Sequence, residues 1–263
     1  MNFKNKKQMK KFFLFTAMLL ASVTNYSQAQ IPDVIAGEMH GKVKSCTFYN
    51  SKFSHEEGDE YIFEEADVTY EEYDNNGFLT YKETDNGSSY TYKNTYTNGK
   101  LTLIQCYDDD GDLTSKTTFE KQGASVVSKI YKNGRMTEKV VYNGRSATLS
   151  APTSDAVATI TYNNQWKAES AVTKFPYGIA AEMTYEYNAK GAVERTVAKV
   201  KNSYAAKVTE YDDYEYDSQG NWTTRLVWED GNLVKMEERE IEYYTQSTPQ
   251  SNKSNSSKKR RGK

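Results

Sequence analysis

The chain has 263 residues, with 34 basic and 36 acidic side chains, two cysteines and two histidines. Two histidines leave little room for imidazole-based metal or acid–base chemistry, and residues 30–245 hold 23 basic and 36 acidic side chains. That acidic body argues against nucleic acid as a partner, because phosphate contact needs a basic face.

Residues 1–11 carry Lys4, Lys6, Lys7, Lys10 and Lys11 and no acid, and the apolar run "FFLFTAMLLASV" follows at 12–23. The run is shorter than the roughly 20 residues of a spanning helix. With Ser27 and Ala29 behind it, the pattern predicts a secretory signal peptide over 1–29, cleaved after Ala29. The protein is thus expected to be exported, to the periplasm, cell surface or extracellular space, with no membrane span after cleavage. Residues 30–60 read as an irregular segment, with "KVKSCTFYN" as an initial strand and "SKFSHEEGDE" as a loop.

From 61 to 245 one unit recurs. "YDNNGFL" (73–79), "YTNGKL" (96–101), "YDDDGDL" (107–113), "YKNGRM" (131–136), "YNGR" (142–145), "YNAKGAV" (187–193), "YDSQGNW" (216–222) and "WEDGNL" (228–233) each place an aromatic residue before a polar turn. "YNNQW" (162–166) lacks the glycine. The expected turn glycines are Gly77, Gly99, Gly111, Gly134, Gly191, Gly220 and Gly231, since Asn-Gly and Asp-x-x-Gly supply the positive φ of tight hairpins. The seven or eight residues between turns alternate in period 2, a strand signal. The predicted fold is all-β: an antiparallel meander of repeated hairpins forming an extended, twisted or curled sheet. "ATLSAPTSDAVATI" (147–160) interrupts the pattern with Pro152 and small residues, and is expected to be a loop or irregular edge between two blocks. Residues 246–263, Ser/Asn-rich and basic at the end, are expected to be a disordered tail.

Leu, Ile, Val and Phe number only 44 of 263, so the 22 tyrosines must supply much of the apolar bulk. Both faces of "LVKMEEREIEYY" carry charge, so cross-strand pairs of roughly 0.2–1 kcal/mol each are expected to hold the sheet together.

Few constellations carry chemistry. His40 and His55 both lie in the irregular segment, and no H-E-x-x-H, C-x-x-C, G-x-S-x-G or P-loop occurs. Glu72, Asp74, Asn76 and Glu83 fall near calcium-loop spacing around Gly77, but strand-like flanks favour plain turn geometry. No metal and no cofactor is expected. Cys46 and Cys106 are a possible disulfide in an exported chain, or two separate thiols. Trp222 and Trp228 share a strand face by alternation, and with Trp166 are candidate binding aromatics; the bland alternative is that they are sheet core.

"YDNNGFL", "YDDDGDL", "YNAKGAV" and "YDSQGNW" resemble the YD repeats of Rhs-type exported bacterial proteins, and the shorter "YTNGKL", "YKNGRM" and "YNGR" units look like MORN-type repeats. The resemblance spans roughly 70–235 and implies a hairpin array used as a structural, enclosing or binding surface. The chain is much shorter than the large Rhs proteins and shows no toxin-like domain after the repeats, so it is expected neither to build a shell nor to deliver a toxin. The expected function is a non-enzymatic envelope scaffold or interaction surface with an unknown protein partner; the alternative is a glycan-binding module using exposed aromatics.

Overall fold

The computed structural model describes residue 33 and residues 37–176, 178–201 and 205–245. The expected signal peptide and basic tail lie outside the described residues.

Seventeen strands follow one another. They are β1 (Val43–Glu57), β2 (Glu60–Phe63), β3 (Asp67–Tyr73), β4 (Leu79–Thr84), β5 (Ser89–Thr97) and β6 (Lys100–Asp108). Next come β7 (Leu113–Gln122), β8 (Ser125–Lys132), β9 (Arg135–Asn143), β10 (Ser146–Ala151), β11 (Ser154–Tyr162) and β12 (Ala168–Phe175). The last are β13 (Gly178–Tyr187), β14 (Val193–Val200), β15 (Lys207–Tyr216), β16 (Trp222–Glu229) and β17 (Asn232–Tyr243).

From β3 to β17 each strand pairs antiparallel with the next. The sheet is not open. β1 pairs with β17 on one side (Val43 opposite Tyr243) and with β3 on the other (Ser45 opposite Glu72). β1 and β3–β17 therefore form a closed sixteen-stranded barrel, which corrects the expected open or curled meander. Closure removes the edges that an open sheet would leave unpaired. β2 stands outside the ring, paired only with the far end of β1.

Two other expectations change. Residues 43–57 are one fifteen-residue strand, so "SKFSHEE" is strand rather than loop. The stretch 147–160 is not a break but β10 and β11, with its proline between them. Its small residues have a packing reason: Ala147, Leu149, Ala158 and Ile160 point inward against Phe78, Leu101 and Tyr142. That cluster draws its fully buried members from the β3–β4 turn, β6, β9, β10 and β11. From β7 and β8, between β6 and β9, the half-buried Phe119 and Val126 pack against it.

The turns explain the recurring unit. Asp74 accepts from the amides of Asn76 and Phe78 through Oδ1, and its own N–H donates to the Phe78 carbonyl. Asn163, Asn188 and Asp217 repeat the arrangement. All four turns lie at one rim, called here the closed end. Tyrosines on neighbouring strands tie them together: Tyr96 donates to Asp74 Oδ2 at 2.5 Å, Asn188 donates to Tyr216 Oη at 2.9 Å, and Tyr243 donates to Asp217. Tyr187 and Tyr214 donate to the carbonyls of Ala168 and Val193, each just beyond a turn. The aromatic residue and the Asp or Asn that follows thus serve as rim link and turn cap. A second turn type appears at Asn98–Gly99, Asn133–Gly134 and Asp230–Gly231, where both central residues have φ between 50° and 80°, the type I′ requirement.

Paired residues share a face, so the two faces can be followed round the ring. Inward are Ile241, Cys46, Glu71, Lys82 and Tyr90 in one register layer. Outward are Glu242, Ser45, Glu72, Tyr81, Thr91 and Tyr107. Charges stand at mid-strand on the outside: Lys93 on β5, Lys129 and Lys139 on β8 and β9, Glu182 on β13 and Glu238 on β17. Inside, toward the closed end, the packing is tight, with Tyr142, Leu101 and Val43 each 1% exposed.

Candidate functional site

The closed end holds the most unusual chemistry in the barrel. Residues 37–42 precede β1 and lie as a strap across the inside of the rim. Met39 is fully buried, packed with Val43, Cys46 and Tyr73. Glu38 takes φ +58°, a left-handed conformation that a side chain makes costly. Its carboxylate is gripped by three donors from two strands, β14 and β16. Oε1 accepts from the Val193 amide at 2.8 Å; Oε2 accepts from Arg225 at 3.0 Å and from the Trp222 indole at 3.2 Å.

The main chain of the strap is read as well. Arg239 donates to the carbonyls of Gly37 (2.8 Å) and Glu38 (3.1 Å). Asn221 accepts from the His40 amide at 2.6 Å and donates to the His40 carbonyl at 3.0 Å. Asp33, further back, accepts from the Leu79 amide on the other side of β1.

Alternation places these wall residues. Arg225 and Val227 share the inward face of β16, and Glu237, Arg239, Ile241 and Tyr243 share that of β17. Arg225 binds Glu237 through Nε (2.7 Å) and a terminal nitrogen (2.6 Å). It also lies 4.0 Å from the Trp222 ring, whose other contact is Arg239 at 3.7 Å.

Burial pushes the Glu237 carboxyl up, but Arg225 and Lys235 outweigh it and hold it below its usual range. Burial likewise works against the charge on Arg225, which Glu237 and Glu38 more than restore. Arg239 faces carbonyls instead of a paired carboxylate, and burial brings it down to about 10. His40 is lowered by burial and by Lys167 and Arg239. The donors and acceptors of this network are used on one another.

The three tryptophans part company. Trp222 is 4% exposed inside the rim, because an irregularity in the β15–β16 ladder at Tyr216 turns it off the face of Trp228. The shared face expected from alternation is therefore corrected. Trp166 takes φ +63° where other copies of the turn have glycine, and it packs beside Tyr162 against the interior cluster. Trp228 points outward, donates to Asp212 at 2.8 Å, and meets Tyr61 edge-on at 6.2 Å. Tyr61 in turn packs with Phe53, and Phe53 with Phe63, on the β1–β2 hairpin.

Cys46 and Cys106 are both buried and free, which corrects the possible disulfide. They sit on β1 and β6, with β3, β4 and β5 between them in the ring, whereas a disulfide needs Cα atoms within roughly 7 Å. Burial pushes the Cys46 thiol up to about 12. The two histidines lie apart, His40 on the strap and His55 in the hairpin beside Ser54. Among the described residues no group of three or more His, Cys, Asp or Glu is placed to hold a metal. The strap was missed in the sequence. Its one signal was Arg225 and Arg239 on strand faces that also carry Val227, Ile241 and Tyr243, which calls for buried acceptors.

No protein-family model matches the chain, and no curated protein matches it. Among solved structures it is similar to a porin-like protein from Bacteroides uniformis, with 11% identity, TM-score 0.36, and coverage of 76% of this chain and 98% of that one. A porin-like protein from Bacteroides vulgatus gives 9% identity, TM-score 0.36, and 77% and 99% coverage. A Tc holotoxin pore from Photorhabdus luminescens gives 11% identity and TM-score 0.20, matching 64% of this chain and 15% of that one. No function follows from likenesses of this size.

Proposed function

We propose that the chain is an exported, non-catalytic β-barrel of the cell envelope that works in water as a scaffold or interaction module. The outward face carries this reading. A lipid-embedded barrel needs an apolar outer band about 25 Å tall, and a charge facing lipid at the midplane costs roughly 2–4 kcal/mol. Here outward charges stand mid-strand around the ring, among them Lys93, Lys129, Lys139, Glu182 and Glu238. No helix among the described residues is long and apolar enough to cross a membrane. Liposome flotation of the protein, purified without detergent and lacking residues 1–29, tests the reading. It is expected to stay with the soluble fraction as a folded β-protein. Carbonate-resistant flotation with the vesicles would overturn it.

One observation favours the glycan-binding alternative, at one tryptophan only. Tyr61 is 42% exposed beside Trp228, giving the outer wall an aromatic group to which a sugar ring or a partner could stack. Glycan-array binding that disappears in Trp228→Ala, with the circular dichroism unchanged, would establish it.

A further inference from the structure

We infer that the inside of the closed end is a peptide-recognition cleft, and that residues 37–40 are its removable occupant. This stands independently of the function proposed above.

The ring is complete without the strap. β1 closes it from Val43 onward through β17 and β3, and no strap residue joins a ladder. β14, β16 and β17, which supply much of the wall, are each paired on both sides within the ring. The strap is added to this finished wall in the way a ligand is. Its one carboxylate meets three donors, from Val193, Trp222 and Arg225. Its main chain is read by Arg239 and by both ends of the Asn221 amide. Its one large apolar side chain, Met39, fills a closed pocket.

The left-handed Glu38 strengthens the case. A conformation this unfavourable persists where surrounding contacts over-determine it. The ligand class is a short peptide with a glutamate, entering in a non-repetitive conformation, followed by a flexible apolar residue. In this chain the occupant is its own Gly-Glu-Met-His, and the same segment of a second copy is the natural competitor.

The test keeps the whole chain. A protease site is inserted between Gly41 and Lys42, both exposed, and the folded protein is cut. A fluorescein-labelled peptide of residues 31–42 is then added. It is expected to exchange into the cut barrel with a rise in anisotropy, and unlabelled peptide should compete it out. The Glu38→Gln peptide should bind at least about tenfold more weakly, because the charge-assisted bonds to its carboxylate are lost. Three outcomes would overturn the inference. The labelled peptide could fail to bind a cut barrel of unchanged circular dichroism. The glutamine peptide could bind equally well. The barrel could unfold on cutting, which would make the strap a structural element instead of an occupant.

Discussion

Replacing Arg225 by leucine should destabilise the barrel by about 3–5 kcal/mol at neutral pH, the usual cost of removing one partner from a buried ion pair. The structure places the site in that range. The side chains of Arg225, Glu38 and Glu237 are 11%, 19% and 14% exposed, so water compensates little for the lost guanidinium. Two carboxylates lose their closest cation together, and only Glu237 keeps another, Lys235. For a chain of this size the loss corresponds to about 6–20 °C in Tm. Urea titration followed by tryptophan emission measures it directly.

The pH dependence separates a stranded charge from simple loss of packing. In the native barrel Glu237 is held below its usual carboxylate range, so it contributes stability above the unfolded value of about 4.3 and loses it as the pH falls. Without Arg225, burial dominates and the carboxyl is pushed up. The destabilisation is then full at neutral pH and shrinks as the pH falls toward the unfolded value and the group takes a proton. Arg225→Leu/Glu237→Leu should recover at least half of the loss, because no carboxylate at 237 is left stranded. A loss below about 1 kcal/mol would refute the reasoning. So would a loss of equal size at pH 7 and pH 4.5 with no recovery in the double variant.

Three further outcomes are expected. Trp166→Gly should be more stable than Trp166→Ala by about 1–2 kcal/mol in urea melts, since both lose the ring but only glycine accepts φ +63° freely; the reverse order would contradict the left-handed turn. Gly231→Ala should cost about 1–2 kcal/mol of backbone strain alone, because a Cβ there meets nothing within 4 Å. Gly191→Ala, also at positive φ, should cost about as much by the same melts, because its Cβ meets only the far end of the Lys167 side chain, which can swing aside. Ellman's reagent should find two thiols in urea without reductant and react slowly with the native protein, Cys46 being 1% exposed; a denatured protein with no free thiol would show that the cysteines pair after all.

Strands and turns are legible in the sequence because their causes are local. Asp217 caps its own turn, Gly220 takes φ +84°, and the alternation of "WTTRLVWE" needs no distant partner. Closure has no such local cause. It rests on Val43 meeting Tyr243, two hundred positions away, and on a strand whose outward serines, threonines and charges make it look irregular. Residues 147–160 read as a loop or irregular edge because Pro152 and small residues give no strand signal, yet Ala147 and Ala158 fit where Phe78, Leu101 and Tyr142 pack against them. The face of Trp222 was misjudged for a similar reason. One irregular step in the ladder reverses everything beyond it, and periodicity cannot show where that step falls.

Composition and closure also explain each other. With so few aliphatic residues and charge on the outer face, an open sheet of these strands would offer water two bare edges and one thin apolar face. Closing the ring satisfies both edges at once and turns one face of every strand away from bulk water. Tyrosine then becomes the suitable filler. Its ring supplies the bulk of a core residue, while its hydroxyl can reach a rim carboxylate or a carbonyl, as Tyr96, Tyr187 and Tyr243 do. The outer face is left free to remain charged. The same demand for buried polar partners that tyrosine meets along the rim makes Arg225 and Arg239 require acceptors inside it, and the strap residue Glu38 provides them with its carboxylate and main-chain carbonyl.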